Sequence, residues 1–558
     1  MAERVLGLET EYGLTVDADD AVPSIRERVV DGIFQVAMQN LPHIPRRPDG
    51  GRRGLFLGNG SLLYVDCGLH IEFATPECFN PDDVVRYTLA GERILNQLTS
   101  EYLDVHHQIR GVVFLKTNVD YAYRSGSSWG CHESLLHKGT SKELSKQLIP
   151  HLVSRQVFTG SGGWNSLIPG LEFLISPRVV HLVNSVSNQS THDRGIFHTK
   201  DEPLSSVGYH RLHLLCGESL CSETASWLKI GTTALVVAMI EAGLRPGDAV
   251  AIRLPCSAMQ TIARDPTCTV SVPTATNGHM SALEIQRHYL EAAEAHLDDG
   301  IMPSWAERVC HSWRDTLDAL QNRTPSSMER VLDWPLKLAI FRRHVERSGF
   351  SWEEIDRWNS VVKEIHNQLT MRCVEEEYFP GDFEQLIGSK SRYPGEIRRW
   401  RSSIEQQGMS WDRLMQFLKL KAELVEIDVR FSQVGTQGIF ASLDRAGLLS
   451  HHVKGIDDVE HAVSNPPAQG RASQRGRVVQ QLTKRMGMIC GWSGICDLRK
   501  KQVLDLSDPF ENEECWMSLA ETSIMLSGEY FGMLDHEGAI AERRRMAILG
   551  SRRRQNQG

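Results

Sequence analysis

The chain has 558 residues, 41% hydrophobic and 23% charged, a globular composition that excludes a disordered or fibrous protein. Its 61 basic against 70 acidic side chains give a formal net charge of −9, which argues against a dedicated nucleic-acid binder. No apolar run approaches the ~18 residues that cross a bilayer and the start is strand-like rather than a signal peptide, so a soluble cytoplasmic protein of roughly two to four domains is expected.

The first 80 residues alternate as strands do, broken by a helical stretch near Ile25 to Met38 and a Pro/Gly/Arg loop from Pro42 to Gly54. Asp83 to Leu103 has helical apolar spacing, Gly111 to Leu115 reads as a strand, and Leu220 to Ala242 as a long buried helix. Helical patterns dominate from Ser281 to about Glu426. Strands and helices mix without βαβ alternation, so the expected fold class is α+β, a large, mainly antiparallel sheet cradle packed with helices. The 12 cysteines include no C-x-x-C pair and read as reduced, packed thiols.

One repeat is visible: Gly349-Phe350-Ser351-Trp352-Glu353-Glu354-Ile355 recurs as Gly408-Met409-Ser410-Trp411-Asp412-Arg413-Leu414. Ser351 with Glu354 fits a capping box, and Ser410 can cap the second copy. The expected organisation is a catalytic domain over residues 1–447 with a helical insertion at about 350–425. A small C-terminal domain then covers 448–535, and a basic tail 536–558. The tail reads as a solvated arm or, more sharply, a dock for an acidic partner.

Four i, i+2 pairs carry the chemistry. On a strand, Glu9 and Glu11 project from one face while Leu6, Leu8 and Leu14 point away, and Gly7 and Gly13 leave that face open. Two like charges on a bare face repel unless a cation lies between them, and hard oxygen ligands suit Mg²⁺. The same spacing recurs as Tyr64 with Asp66, His70 with Glu72, and Arg211 with His213. Together they describe a sheet face suited to a metal and a nucleotide. Thr159-Gly160-Ser161-Gly162-Gly163 lacks the lysine of a phosphate loop and reads as a tight turn. His132 beside Glu133 reads as structural.

These residues also carry a resemblance. Gly7-Leu8-Glu9-Thr10-Glu11-Tyr12-Gly13, Asn59-Gly60 through Tyr64-Val65-Asp66, and Glu72-Phe73-Ala74-Thr75-Pro76-Glu77-Cys78 resemble the Pup ligase/Pup deamidase family. So do Gly130-Cys131-His132-Glu133, Asp201-Glu202-Pro203, Arg211-Leu212-His213, Ser222-Glu223-Thr224 and Asn465-Pro466-Pro467. The resemblance implies a glutamine-synthetase-like fold binding ATP and Mg²⁺. It also implies activation of the C-terminal glutamate of Pup, a small disordered modifier, for transfer to lysines of target proteins destined for the proteasome. Carried over, Glu9, Tyr64 and Glu72 would hold Mg²⁺, with Glu11 and His213 as further metal-site groups. Asp66 would be the catalytic base. Thr75 and Trp492 would contact ATP, and Arg211 its phosphates.

Two departures stand out. The family's ATP-contacting arginine two residues before the tyrosine is Leu62 here, with Arg52 or Arg53 as the expected substitute. The arginine before Asp201 is Lys200. Glu9-Thr10-Glu11, Ala74-Thr75-Pro76, Cys131-His132 and the short interval after the first strand look ligase-like. Thr159-Gly160-Ser161-Gly162 and Leu332-Asp333-Trp334-Pro335 look like the deamidase branch. The balance favours a Pup–protein ligase over a depupylating hydrolase or a silent Pup-binding homologue.

Overall fold

The computed structural model describes residues 4–18, 24–46, 53–66, 68–121, 127–190, 192–200, 205, 208–276, 278–322, 328–372, 394–482 and 487–519. The basic tail at 536–558, Arg52 and Asp201-Glu202-Pro203 lie outside the described residues.

An eight-stranded sheet is the frame. Its strands are β1 (Leu6–Ala18), β2 (His43–Pro45), β3 (Gly54–Leu57), β4 (Leu62–Val65), β5 (Ile71–Ala74), β6 (Ile109–Leu115), β7 (Cys131–His137) and the strand His210–Leu214. The order is His210–Leu214, β7, β1, β5, β4, β3, β2, with β6 pairing the second half of β1. Every pairing in it is antiparallel, as expected for the α+β class. β1 is central: it is held by β5 and β7 along its first half, so Glu9 and Glu11 do not lie on an edge.

Alternation then divides the sheet into two faces. Leu6, Leu8, Tyr12 and Leu14 point toward helices and are buried. Helix α1 (Ile25–Asn40) and helix α2 (Pro81–Val105) supply Val29, Ile33, Phe34, Ile94, Leu95 and Leu98 to the cluster around Tyr12. Asn80 starts α2 by accepting the Asp83 amide, with Pro81 in the first turn. The helix Glu223–Glu241 is buried over nearly its whole length, three residues inside the expected limits at its start and one at its end.

The repeat marks two helices, Trp352–Arg372 and Trp411–Phe431. Gly349 and Gly408 precede them with φ of +71° and +72°, a conformation that costs glycine little. Ser351 and Ser410 accept the Glu354 and Arg413 amides at 3.1 and 3.4 Å. The capping box is only half formed, because the Glu354 carboxylate turns to Arg413 of the second copy instead. The two copies are thereby clasped together.

At the C-terminal end, the helix Gly470–Leu482 and a four-stranded antiparallel sheet (Met488–Cys490, Gly494–Asp497, Gln502–Asp505, Trp516–Ser518) cover the β2–β3–β4 end of the large sheet. Val478, Val479, Met488, Ile495 and Leu504 bury Ile44, Phe56, Leu62 and Ala74. This docking places a loop from the small sheet over the same face that carries Glu9. Among the described residues no helix is long and apolar enough to cross a membrane, and no described cysteine forms a disulfide.

Candidate functional site

The register of the sheet assembles the site. Tyr64 stands opposite Glu72 and Glu72 opposite Glu11, one row across three strands. In the next row Leu62, Ala74, Glu9 and His132 are successive neighbours. His213 pairs with Ser134, two residues beyond His132 on the same face. Side chains from β1, β4, β5, β7 and the His210–Leu214 strand therefore converge without any loop having to place them.

His132 is the centre. Its Nδ1 lies 3.8 Å from both Glu9 Oε2 and Glu72 Oε1, and its Nε2 lies 3.8 Å from Glu11 Oε1. His213 Nε2 is 3.5 Å from Glu9 Oε2, and the Tyr64 hydroxyl donates to the same oxygen at 3.4 Å. Glu9 also pairs with Arg211 and accepts from Ser134 Oγ at 3.2 Å. Glu11 accepts the Gly130 amide at 2.8 Å.

The electrostatics are those of a site awaiting positive charge. Burial opposes ionisation of Glu9, but Arg211 and then His213 hold it well below the usual carboxylate range. Glu72 has no such cation: burial first, then Glu11 and Glu9, push it well above the ordinary value. Burial and the Arg211 charge push His213 down to about 4, so its imidazole is neutral near pH 7 and one of its ring nitrogens offers a lone pair. Glu72 Oε1 and His213 Nε2 are buried without a hydrogen bond. Glu9, His132 and His213 form one set of ligand atoms within 4.8 Å of one another, and Glu11, Glu72 and His132 a second. Glu9, Glu11 and Glu72 with the two imidazoles fit divalent cations, which would satisfy those two atoms and remove the repulsion.

Asp66 lies just past β4, half-buried, where its amide donates to His70 O at 2.9 Å. Its charge adds to the repulsion on Glu72 and attracts Arg194. It sits at the margin of the cluster.

Beside the cluster a cleft is lined by Gly7, Glu9, Thr75, Glu77, Arg211, Arg471 and Trp492. Thr75 Oγ1 accepts the Leu8 amide at 3.1 Å and would stand 3.3 Å from a Cβ at Gly7, so glycine there lets it approach. Trp492 meets Phe56 edge to face at 5.1 Å. Arg475 lies 4.9 Å from the Trp492 ring centroid, donates to Trp492 O at 3.3 Å and to Gly60 O at 3.1 Å, and pairs with Glu77. Gly60 turns the β3–β4 hairpin at φ +82°.

All nine residues singled out from the sequence thus border one face: Glu9, Glu11, Tyr64, Asp66, Glu72, Thr75, Arg211, His213 and Trp492. Three expectations are corrected. The face is not open at Gly13, where a Cβ would meet the Trp129 ring at 3.1 Å. Arg53 does not replace the arginine missing at Leu62: it points to the opposite face and pairs with Asp31 of α1. His132 is no bystander. Strand alternation sends Glu133 to the other face, where Arg155 binds it, and leaves His132 among the carboxylates. Alternation with Ser134 and Leu136 was the signal for it in the sequence. Glu77, Arg471 and Arg475 were also missed, and only Glu77 lies within a recognised motif.

An antiparallel sheet with a carboxylate–histidine cluster on one face, next to a cleft closed by a small second sheet, is the class that fold and site define. The chain belongs to the Pup-ligase protein family, whose sequence profile matches residues 4–366 and 401–496. The unmatched 367–400 falls inside the segment read as an insertion. The chain is 30% identical over 524 residues to the Pup–protein ligase of Corynebacterium diphtheriae, covering 92% of this chain and 93% of that one. It is 34% identical over 365 residues to the Pup–protein ligase of Xylanimonas cellulosilytica, covering 63% and 77%. Among solved structures, the ligase PafA in complex with the prokaryotic ubiquitin-like protein Pup superposes with a TM-score of 0.67 at 23% identity, covering 98% and 95%. The Pup ligase PafA in complex with ADP superposes with 0.63 at 25% identity, covering 90% and 93%.

Proposed function

We propose that this chain is an ATP-dependent Pup–protein ligase of the cytoplasm. It would join the C-terminal glutamate side chain of a Pup-like modifier to lysines of target proteins and mark them for the proteasome. The observation that carries this reading is the convergence of Glu9, Glu11, Glu72, His132 and His213 on one sheet face, with Asp66 at its margin and the Trp492 cleft beside it. The ADP held by the related PafA supports a nucleotide in that cleft.

A carboxylate does not condense with an amine unaided. Transfer of the γ-phosphoryl group to the modifier's glutamate forms an acyl phosphate and releases ADP; amine attack on the carbonyl then expels phosphate and leaves an isopeptide bond. Glu9, Tyr64 and Glu72, with Glu11, His213 and His132, would hold Mg²⁺, which neutralises the triphosphate and the charge that develops on transfer. Thr75 and Trp492 orient the nucleotide, and Arg211 pairs with its phosphates. The incoming ammonium, of ordinary pKa ~10.4, must lose a proton before it can attack. Asp66 accepts it, being less buried than Glu11 and Glu72. Within this reading residues 1–447 form the catalytic domain, 448–535 a small domain that supplies Trp492, and 536–558 a basic tail.

The test is incubation of the chain with a lysine-bearing protein, ATP, Mg²⁺ and modifiers ending in glutamate or glutamine. Conjugate formation with the glutamate form supports the proposal. Net cleavage of a preformed conjugate without conjugation would assign the hydrolase instead. Asp66→Asn is expected to abolish conjugation while leaving ATP affinity within about twofold; full activity in that variant removes Asp66 as the base.

A further inference from the structure

We infer that Arg194, backed by Ser128 and Arg178, binds the free α-carboxylate of the modifier's C-terminal glutamate; this rests on the ligase reading above. The placement follows from β1, where Gly7, Glu9, Glu11 and Gly13 succeed one another on one face at steps of ~7 Å. The cleft takes the Gly7 and Glu9 end, and the carboxylate–histidine cluster the middle. Toward Gly13 the segment 128–130 takes over. The Gly130 amide donates to Glu11 Oε2 at 2.8 Å, and the Trp129 ring would lie 3.1 Å from a Cβ at Gly13. Arg194 Nη1 donates to Ser128 Oγ at 2.9 Å, and Arg178 Nη1 reaches the same oxygen at 3.5 Å. The Arg178 guanidinium packs on Gly130, where a Cβ would meet its Cζ at 2.9 Å. Asp66 belongs to this end as well. Val65, Ile71 and Tyr12 are successive neighbours across β4, β5 and β1, so the next row holds Asp66, His70 and Gly13. The His70 ring lies 4.7 Å from that of Trp129.

These two arginines differ from the others around the site in what they bind. Arg211 sits on Glu9, and Arg471 and Arg475 on Glu77. Arg178 donates only to Leu215 O and Ser128 Oγ, and Arg194 only to Ser190 O and Ser128 Oγ. Among the described residues neither forms an ion pair, and Arg194 Nη2 has no acceptor. Arg178 is 1% exposed and Arg194 half-buried, so two like charges share one neutral hydroxyl, which is unfavourable until an anion joins them. Burial and then Arg194 pull Arg178 down to about 10, which still leaves it charged near pH 7. Burial lowers Arg194 too, against the pull of Glu11 and Asp66. Because Ser128 Oγ accepts from both guanidinium groups, its own hydrogen remains as a further donor.

Phosphoryl transfer runs in line, so the acceptor meets the γ-phosphate from the side away from ADP. With the nucleotide at the Gly7 end, the acceptor comes from the Gly13 end. That acceptor is the side-chain carboxylate of a terminal residue, which brings a second negative charge, its α-carboxylate. Next to Glu11 and Asp66 that charge would be repelled, and a guanidinium with an unused N–H offsets it through a charge-assisted hydrogen bond. A glutamate within a chain has no such group. The arginines therefore select the end of the modifier, while holding the activated carboxyl beside Asp66.

The experiment measures conjugation by the full-length chain with two modifiers that share a C-terminal glutamate, one ending in a free α-carboxylate and one in an α-carboxamide. The unaltered chain should favour the free acid by about 10- to 100-fold in kcat/KM, chiefly through KM. In Arg194→Gln that preference should fall to within about threefold, with ATP affinity by calorimetry changed by no more than about twofold. Arg194→Lys should recover part of the preference, because it keeps the charge and loses the fork. Equal losses on both modifiers in Arg194→Gln would point to a phosphate contact or a structural role and overturn the assignment. An unaltered chain that conjugates both modifiers equally well would overturn it too. Absence of any conjugation of the free-acid modifier by the unaltered chain would instead overturn the ligase reading and this inference together.

Discussion

Glu77→Gln probes the clamp that holds the C-terminal sheet over the site. Glu77 follows β5 and receives Arg471 Nε at 2.6 Å together with Arg475. Arg475, its side chain 0% exposed, also binds Gly60 O and Trp492 O. Burial alone would raise the Glu77 carboxyl; Arg475 and then Arg471 outweigh it and hold the group at about 2 rather than 4.5. By linkage that difference is worth roughly 3 kcal/mol of folding free energy, close to the ~3–5 kcal/mol lost when one partner of a buried pair is removed. Because the folded value is depressed, the contribution is complete above pH 4.5 and fades as pH falls toward 2. Urea denaturation followed by circular dichroism should place Glu77→Gln about 3 kcal/mol below the unaltered chain near pH 7, with the gap narrowing once the pH drops below 4.5. A gap under about 1 kcal/mol near neutrality, or one that stays constant through the acid range, would refute the reasoning.

Two further substitutions separate the site from its scaffold. His132→Gln removes the imidazole that lies 3.8 Å from three carboxylates. It should raise the Mg²⁺ concentration needed for half-maximal conjugation by about 10- to 100-fold, with thermal stability little changed; an unaltered Mg²⁺ dependence would show that His132 is structural. Gly160→Ala would put a Cβ 2.3 Å from Ile175 O, a backbone atom that cannot move aside cheaply. It should destabilise the chain by about 2 kcal/mol or more in the same denaturation assay, and a neutral result would show that the Gly160 turn tolerates a side chain.

Period-two alternation and register account for what the sequence revealed. Glu9 with Glu11, and Tyr64 with Asp66, declare a common face because their spacing survives any choice of neighbouring strand. Which strands are neighbours is a tertiary fact, and it decided the rest. The acid at 133 made His132 look like half of a structural pair, yet adjacent residues on a strand cannot share a face. Arg53 looked like the natural substitute for the arginine absent at Leu62 because it is near in sequence, but its parity is wrong. Arg475 had no signal at all. It comes from a helix more than 400 residues beyond the Gly60 turn it grips, and only the docking of the C-terminal sheet brings the two together.

That docking ties nucleotide binding to stability. The carboxylate face is costly by itself: Glu72 is held in a raised, proton-binding state by burial and by its two acidic neighbours. Divalent ions held in the cluster would remove that cost and stabilise the fold by mass action. The cleft beside it takes Thr75, Glu9 and Arg211 from the large sheet but Trp492 and Arg471 from the C-terminal part. A nucleotide that touches both sides therefore adds contacts across the junction that Glu77 already clamps. Each interaction favours the same closed arrangement, so a loss at the clamp appears as weaker nucleotide binding and a loss in the cleft as a less stable junction. The two readouts should move together in Glu77→Gln. In Asp66→Asn, where the altered residue belongs to neither the clamp nor the cleft lining, both should stay still while conjugation is lost.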